Sequence, residues 1–193
     1  MKMKRLTITL LLAIWLPTPV HSVDSPMPVQ KITDFDSVEL PDWFKSSFLD
    51  LSEDNLDAHE NEKHLMIMFW QDFCGYCKNT VEKNLSQKSI RKFFDKYFDV
   101  VALNIWGSRE IYDLSGKATT EKLLARKLNV QFTPTLIFFD KENNPVLRLN
   151  GYIAPSEMKI ALNYVQQKRY LKQSIFEYVS EMRPSKANEI LNK

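Results

Sequence analysis

The amino-acid sequence predicts an α/β sandwich, in which strands and helices alternate along the chain. Three observations support this fold class. The segment HLMIMFW, residues 64–70, is an uninterrupted apolar run, which is typical of a strand covered on both faces. A second apolar strand is predicted at residues 98–106, after two segments with helical periodicity. The segments TLIFF and VLRLN, separated by the turn DKENNP, then indicate a β-hairpin.

Each helix is predicted from the spacing of its apolar residues and from its start signals. Ser86 or Ser89 is a candidate cap for one helix, Thr119 or Thr120 for another, and Pro155 stands near the start of a third. Residues 52–63 are mostly polar, and residues 107–118 are expected to form a loop. The expected helices span residues 43–51, 77–85, 90–97, 120–128 and 155–165. A helical tail follows through Leu171, Ile175 and Val179 and continues toward Pro184.

The amino-terminal segment has the pattern of a secretory signal peptide over residues 1–22. Its three basic residues, Lys2, Lys4 and Arg5, precede an apolar run of eleven residues and the small-residue exit VHS, with cleavage expected after Ser22. A membrane anchor is the alternative, but the run is shorter than the roughly 20 residues that cross a bilayer. We therefore expect a periplasmic protein, secreted with cleavage of the signal.

The rest of the chain is expected to hold a spacer at residues 23–40 and one domain at residues 41–193, with helical extensions at both ends. Without residues 1–22, the chain has 23 Lys and Arg against 24 Asp and Glu. Nucleic-acid binding normally requires a strong basic excess, so nucleic acid is not an expected partner. We expect a monomer.

The segment FWQDFCGYCK, residues 69–78, contains both cysteines of the chain, Cys74 and Cys77. Such a pair occurs in zinc sites, in haem attachment sites and in redox centres. Haem attachment requires a histidine after the second cysteine, and Lys78 stands there. A zinc site needs four ligands, but His59 and His64 are separated from the thiols by the length of a strand, about 20 Å. No metal and no cofactor is therefore expected at this site.

A redox centre fits the position of the two cysteines. A helix that begins at Cys74 directs its backbone N–H groups and the positive end of its dipole at the sulfur, which lowers the thiol pKa. Cys77, one turn inside the helix, can then resolve the mixed disulfide that Cys74 forms. Because a secreted protein normally uses cysteines for structural bridges and this chain has no others, the pair is free for this chemistry.

These residues resemble the thioredoxin superfamily. FWQDFCGYCK is similar to the aromatic strand end and active turn of that family, and FTPTLIFF, residues 132–139, resembles its Thr-Pro signature before a hairpin strand. Gly151 takes the place of the family's glycine after the hairpin. The resemblance covers about residues 60–168. It implies a thioredoxin fold with a central mixed sheet flanked by helices, an insertion loop before a cis-proline, and an extended carboxyl-terminal helix.

Within the superfamily, the chain is most similar to periplasmic thioredoxin-related proteins of the SoxW type. The signal peptide, the long link before the Thr-Pro signature and the carboxyl-terminal helix carry this similarity. Periplasmic disulfide isomerases are a second resemblance, because they share the Gly-Tyr dipeptide between the cysteines. Those isomerases have a separate dimerisation domain, for which residues 23–60 are too short.

The resemblance implies roles for eight residues. Cys74, Cys77 and Pro134 are expected to be catalytic, with Thr133-Pro134 as a cis peptide bond beside the dithiol. The remaining five are expected to bind substrate, although core packing is the simpler interpretation for one of them, Trp70. These five residues are Thr133, Phe73, Tyr76, Gly75 and Trp70.

The sequence departs from cytosolic thioredoxins at two buried positions. An aspartate and a lysine that serve proton transfer in those proteins are replaced by Met68 and Ala102. Either water or Asp72 is then the proton acceptor for Cys77, although Asp72 can equally be a plain turn residue. Tyr76 replaces the usual proline and restores a backbone N–H.

The sequence therefore predicts a thiol-disulfide oxidoreductase that exchanges its Cys74-Cys77 disulfide with protein substrates, as a reductant. A membrane electron donor is the expected redox partner, because no flavin or nicotinamide motif is present. Two alternatives remain open. The protein could act as an isomerase-like shuffler of disulfides, or as a non-catalytic protein that binds Cu(I) through the two thiolates.

Overall fold

A computed structural model describes residues 38–182 of the chain. The predicted signal peptide, most of the predicted spacer and the end of the predicted helical tail lie outside these residues. The helices are α1 (Leu51–Glu60), α2 (Gly75–Asn79), α3 (Lys88–Tyr97), α4 (Glu121–Lys127), α5 (Pro155–Gln166) and α6 (Ile175–Glu181). The strands are β1 (His64–Trp70), β2 (Phe98–Asn104), β3 (Glu110–Tyr112), β4 (Ala118–Thr120), β5 (Thr135–Phe139) and β6 (Pro145–Asn150). A π-helical turn, Thr80–Leu85, continues α2, and a short 3-10 helix, Arg169–Leu171, follows α5.

The central sheet has four strands in the order β2-β1-β5-β6. β1 pairs in parallel with β2, whereas β5 is antiparallel to both β1 and β6. The predicted mixed sheet is therefore confirmed. The carboxyl end of β1, the carboxyl end of β2 and the start of β5 all lie at one edge, because Trp70 is opposite Asn104 and Phe69 is opposite Thr135. The residues that follow or precede these ends are brought together there.

The sheet is covered by a hydrophobic layer on each face. Met66 and Met68 of β1 point into one layer, and Leu65, Ile67 and Phe69 point into the other. All five side chains are fully buried, as the uninterrupted apolar run predicts. The first layer packs residues of α3 and α5 with both cysteines, and the second packs residues of α1 and α4.

The amino-terminal part of the domain differs from the prediction. The helix expected from residue 43 begins only at Leu51, where Asp50 caps α1 by accepting the N–H groups of Ser52 and Glu53. The preceding residues form a turn that packs Trp43 on the first hydrophobic layer. Val38, which belongs to the predicted spacer, is buried in that layer. The spacer prediction is therefore wrong for its last residues.

The segment before β5 contains more regular structure than the loop expected at residues 107–118. β3 and β4 form a small antiparallel pair there, and Thr120 caps α4 as predicted by accepting the N–H of Leu123. The carboxyl-terminal extension is helical but divided, because Lys168 has a left-handed backbone (φ 51°) that ends α5. α3 also starts differently, since its N-cap is Gln87 rather than a serine.

Candidate active site

The two cysteines lie at the start of α2, just beyond the end of β1. Cys74 is the N-cap residue with an extended backbone (φ −96°, ψ 94°), and its sulfur accepts the N–H of Cys77 at 3.1 Å. A disulfide joins Cys74 to Cys77, with the two Cα atoms 5.2 Å apart. The backbone of α2 thus directs a donor at the sulfur of Cys74, as the sequence predicts. This donor comes from Cys77 and not from Tyr76, the residue that replaces the usual proline.

The two cysteine residues differ in their access to solvent. Cys74 is 8% exposed, whereas Cys77 is fully buried within the first hydrophobic layer. This difference is the one expected of an attacking and a resolving cysteine. Met68 is fully buried in that same layer, and its register partner on β2 is Ala102. Neither side chain can accept a proton.

The Thr133-Pro134 peptide bond is cis, as the resemblance implies. The sulfur of Cys74 lies 3.4 Å from Thr133 Oγ1 and 3.6 Å from the Thr133 carbonyl oxygen. Because a disulfide sulfur carries no hydrogen, the Thr133 hydroxyl is the group that can donate. The loop is held from its other side by Gly151, whose N–H donates to the Pro134 carbonyl at 2.7 Å.

Three exposed aromatic residues are close in sequence to Cys74 or to the cis peptide beside it. Phe73 has a left-handed backbone (φ 56°) and is 67% exposed, and Tyr76 is 65% exposed. Phe132, which directly precedes the cis peptide, is 63% exposed. Gly75 is open, since an added Cβ would meet no atom within 4 Å. Trp70 is half-buried against the first hydrophobic layer, which agrees with the packing interpretation of this residue.

Phe132 was not predicted as a site residue. An aromatic residue immediately before a Thr-Pro signature is the signal that could have identified it, because cis-proline loops lie next to the dithiol in this fold. Trp106 was not predicted as a site residue either. It was expected to end the strand over residues 98–106, but β2 ends at Asn104, and Trp106 follows it with 64% of the residue exposed. Its Nε1–H donates to Gln71 Oε1 at 3.0 Å, three residues before Cys74.

Asp72 stands in the active turn, two residues before Cys74. Its carboxylate accepts a hydrogen bond from Asn104 Nδ2 at 3.3 Å. The side chain is exposed, so the interpretation of Asp72 as a turn residue agrees with its surroundings. This contact also joins the end of β2 to the active turn.

An ion pair between the buried carboxylate of Glu121 and the exposed side chain of Arg109 lies beside the loop that follows β2. The carboxylate of Glu121 is 1% exposed and accepts hydrogen bonds from Arg109 Nε and a terminal guanidinium nitrogen, at 3.0 and 2.6 Å. The hydrogen bond from Arg109 to Glu121 raises the pKa of the guanidinium above its usual value. Neither residue was predicted to contribute to the site.

Comparison with known proteins gives the family. Residues 51–166 match the sequence profile of the thioredoxin-like domain, which is more than half of the chain. The chain belongs to the thioredoxin-like domain family. This membership and the Cys74-Cys77 pair at the start of α2 make it a thiol-disulfide oxidoreductase.

Solved structures with a similar fold include three informative examples. A thioredoxin-fold protein from Helicobacter pylori is 21% identical with a TM-score of 0.54, covering 68% of this chain and 81% of its own. A thioredoxin from Thermus thermophilus is 24% identical with a TM-score of 0.47, covering 58% and 82%. A DsbH oxidoreductase is 17% identical with a TM-score of 0.45, covering 78% and 96%. The first of these supports the thioredoxin fold.

A search of curated protein sequences gives no match. Within residues 38–182, no helix is both long enough and apolar enough to span a membrane. The same residues contain no group of three or more His, Cys, Asp or Glu side chains placed to hold a metal ion.

Proposed function

We propose that this thioredoxin-like protein reduces disulfide bonds of secreted proteins in the periplasm, as a member of the SoxW type. The position of Cys74 supports the proposal most directly. Its sulfur caps α2 and accepts the N–H of Cys77, and the residue is the more exposed of the pair. In the reduced protein, we expect this donor and the positive end of the helix dipole to stabilise the Cys74 thiolate and to lower its pKa below the free value of about 8.5.

The first step is attack by the Cys74 thiolate on one sulfur of a substrate disulfide. A bond forms between Cys74 and that sulfur, and the substrate S–S bond breaks. The second substrate sulfur leaves as a thiolate and takes a proton from water. Thr133 Oγ1, 3.4 Å from the Cys74 sulfur, stabilises the attacking thiolate by donating its hydrogen.

The second step is attack by Cys77 on the sulfur of Cys74. Cys77 loses its proton, its sulfur bonds to Cys74, and the bond from Cys74 to the substrate breaks. Both substrate sulfurs are then reduced, and the two electrons come from the Cys74-Cys77 dithiol. Because Met68 and Ala102 cannot accept a proton, we assign the proton of Cys77 to water, with Asp72 as the alternative acceptor.

Substrate binding is assigned to the surface around Cys74. The backbone beside Pro134 is proposed to pair with an extended substrate segment, as a strand adds to the edge of a sheet. The exposed rings of Phe73, Tyr76 and Phe132 offer apolar contact, and the open position of Gly75 lets the substrate approach closely. Trp70 supports this surface by packing against the first hydrophobic layer.

A second dithiol must reduce the Cys74-Cys77 disulfide after each cycle. We propose a membrane electron donor for this step, and a monomeric protein that approaches it from the periplasm. The amino-terminal sequence pattern, with three basic residues before an apolar run, supports export.

An insulin-reduction assay with dithiothreitol tests the proposal. We expect turnover by the parent, none by Cys74→Ser, and a trapped mixed disulfide with Cys77→Ser. Equilibration of the dithiol with glutathione then gives the direction: a potential near that of thioredoxin, about −270 mV, supports a reductant. A potential near the isomerase value of about −180 mV would replace the reductant by the shuffler. An inactive parent that binds Cu(I) tightly would support the metal-binding alternative.

A further inference from the structure

Trp106 is an exposed aromatic residue that is nevertheless held in place. Its backbone N–H donates to Asn104 Oδ1 at 3.0 Å, and its indole Nε1–H donates to Gln71 Oε1 at 3.0 Å. The ammonium group of Lys122 lies 5.6 Å from the centroid of the ring, within cation–π distance. With 64% of the residue exposed, these contacts leave a fixed apolar surface open to solvent. A fixed aromatic ring binds a partner with little loss of conformational entropy.

Trp106 lies in a loop that is bonded to the active turn carrying Cys74. The residue lies in the β2-β3 loop, residues 105–109, which follows Asn104, the β2 residue opposite the end of β1. The N–H of Ile105 donates to the Trp70 carbonyl at 2.9 Å, and Asn104 bonds to Asp72. Phe132 lies three residues before β5, which pairs with β1 on its other side. The two exposed rings therefore belong to loops that adjoin β2 and β5, the strands on opposite sides of β1.

The buried carboxylate of Glu121 holds the β2-β3 loop in place through hydrogen bonds. Besides Arg109, the carboxylate accepts the backbone N–H of Asn104 at 3.0 Å. An added Cβ at Gly107 would lie 2.0 Å from Glu121 Oε2, so the loop and the carboxylate are in close contact. The loop is also bonded to α4, since the N–H of Lys122 donates to the Gly107 carbonyl at 3.1 Å. One buried acid thus holds both ends of the loop.

We propose that Trp106 is a specificity-determining residue for polypeptide substrates, and that Glu121 is the positioning residue that sets it. This inference rests on the proposed function. An extended polypeptide bound at Cys74 reaches beyond the active turn, and its apolar side chain on the β2 side contacts the indole. A small disulfide lacks the length to reach Trp106. The residue therefore favours polypeptides with a large apolar side chain near the cysteine.

Steady-state kinetics with two substrates test the role of Trp106. Insulin serves as the polypeptide disulfide and hydroxyethyl disulfide as the small one. We expect Trp106→Ala to lower kcat/KM for insulin relative to hydroxyethyl disulfide by about fivefold or more, mainly through KM, as for an exposed aromatic contact residue. Phe176→Ala, which removes an 84% exposed aromatic side chain from α6, is the matched control and leaves this ratio unchanged.

The role of Glu121 is tested with Glu121→Gln, which keeps the shape of the side chain and removes its charge. We expect the same shift of the substrate ratio, together with greater quenching of the Trp106 fluorescence by acrylamide, measured as the difference from Trp106→Phe in each background. The pKa of Cys74 should not move. A shift of that pKa would mean that Glu121 acts on the reacting thiolate, and an equal loss for both substrates would mean that it acts only on the stability of the fold. Either result contradicts the positioning role.

The outcomes separate this inference from the proposed function. A parent protein that reduces neither substrate contradicts the proposed function. An active parent for which Trp106→Ala leaves the ratio at the parental value contradicts the assignment of Trp106, whatever Glu121→Gln does.

Discussion

The hydroxyl oxygen of Thr133 lies 3.4 Å from the sulfur of Cys74, across the cis peptide from Pro134. In the reduced protein this hydroxyl can donate to the thiolate. We expect Thr133→Val to raise the pKa of Cys74 by about one unit, because a hydrogen bond to a charged group contributes about 1.5 kcal/mol. Titration of the thiolate by its ultraviolet absorbance measures the change.

Thr133→Ser is the control for this measurement, because it keeps the hydroxyl and removes only a methyl group. Its Cys74 pKa should stay near that of the parent. If the valine and serine variants titrate alike, the hydroxyl does not stabilise the thiolate, and the helix start alone sets the pKa.

Gly151 fixes the loop that carries Pro134. Its φ of 75° is in the left-handed region, and its N–H donates to the Pro134 carbonyl at 2.7 Å. We expect Gly151→Ala to lower the free energy of unfolding by about 1–2 kcal/mol, since a Cβ is strained in this conformation. Urea denaturation, followed by circular dichroism, measures the loss.

Gly75→Ala is the matched substitution at the active turn. An added Cβ at Gly75 meets nothing within 4 Å, and the residue is the first of α2. Its free energy of unfolding should stay within about 0.5 kcal/mol of the parent. Equal losses in both alanine variants would contradict the role of the left-handed conformation at Gly151.

The parts of the fold that sequence analysis predicted are those with a strong local signal. The apolar run of β1, the cysteines at the start of α2 and the cis bond before Pro134 all occur where expected. In each case, one short segment of the sequence is sufficient for the prediction. The run predicts burial on both faces, and the Thr-Pro signature resembles a known family.

The parts that were missed depend on contacts between distant segments. α1 has no clear apolar period because its buried face includes Asp54 and Asn55. Asn55 is held by the carbonyl of Asp140, 85 residues away. β3 and β4 have only three residues each, too few for a period of two to be recognised. Glu121 looks like an ordinary helix-start acid until Arg109 is placed beside it.

His64 makes stability depend on pH in the range from about 6.5 to 4. The ring is 4% exposed, and burial lowers its pKa from 6.5 to about 4. Above pH 6.5, the imidazole is neutral in both the folded and the unfolded chain. Below it, the unfolded chain binds a proton that the folded protein does not, so the free energy of unfolding falls as the pH falls. The loss approaches about 3 kcal/mol near pH 4, at about 1.4 kcal/mol per pKa unit.

His64→Gln tests this prediction. The amide is neutral at every pH and can donate to the Phe139 carbonyl, which lies 3.3 Å from His64 Nδ1. We expect a flatter dependence of unfolding free energy on pH between 6.5 and 4, measured by urea denaturation. His59, whose pKa is also lowered by burial, contributes to the slope in the same direction. An unchanged slope in His64→Gln would mean that other groups cause the pH dependence of the unfolding free energy.

Asp113 changes stability in the same direction as His64, but at lower pH. Asp113 lies in the turn between β3 and β4 and is 3% exposed. Its carboxylate accepts hydrogen bonds from Lys127 Nζ at 2.6 Å, from the N–H and hydroxyl of Ser115, and from the N–H of Lys117. Burial alone would raise the pKa of Asp113, but Lys127 and these donors hold it well below 3.8. The group therefore stabilises the fold above pH 3.8, and this contribution is lost as the pH falls below that value.

We expect Asp113→Asn to lower the free energy of unfolding near pH 7 by about 1–3 kcal/mol, as for a lost hydrogen bond to a buried charge. The difference from the parent should shrink as the pH falls below 3.8, because the parent carboxylate is then protonated as well. Asp95→Asn breaks an exposed ion pair with Arg91 and should cost no more than about 0.5 kcal/mol. A difference between Asp113→Asn and the parent that stays constant into the acid range would mean that the shape of the turn, not its charge, stabilises the hairpin.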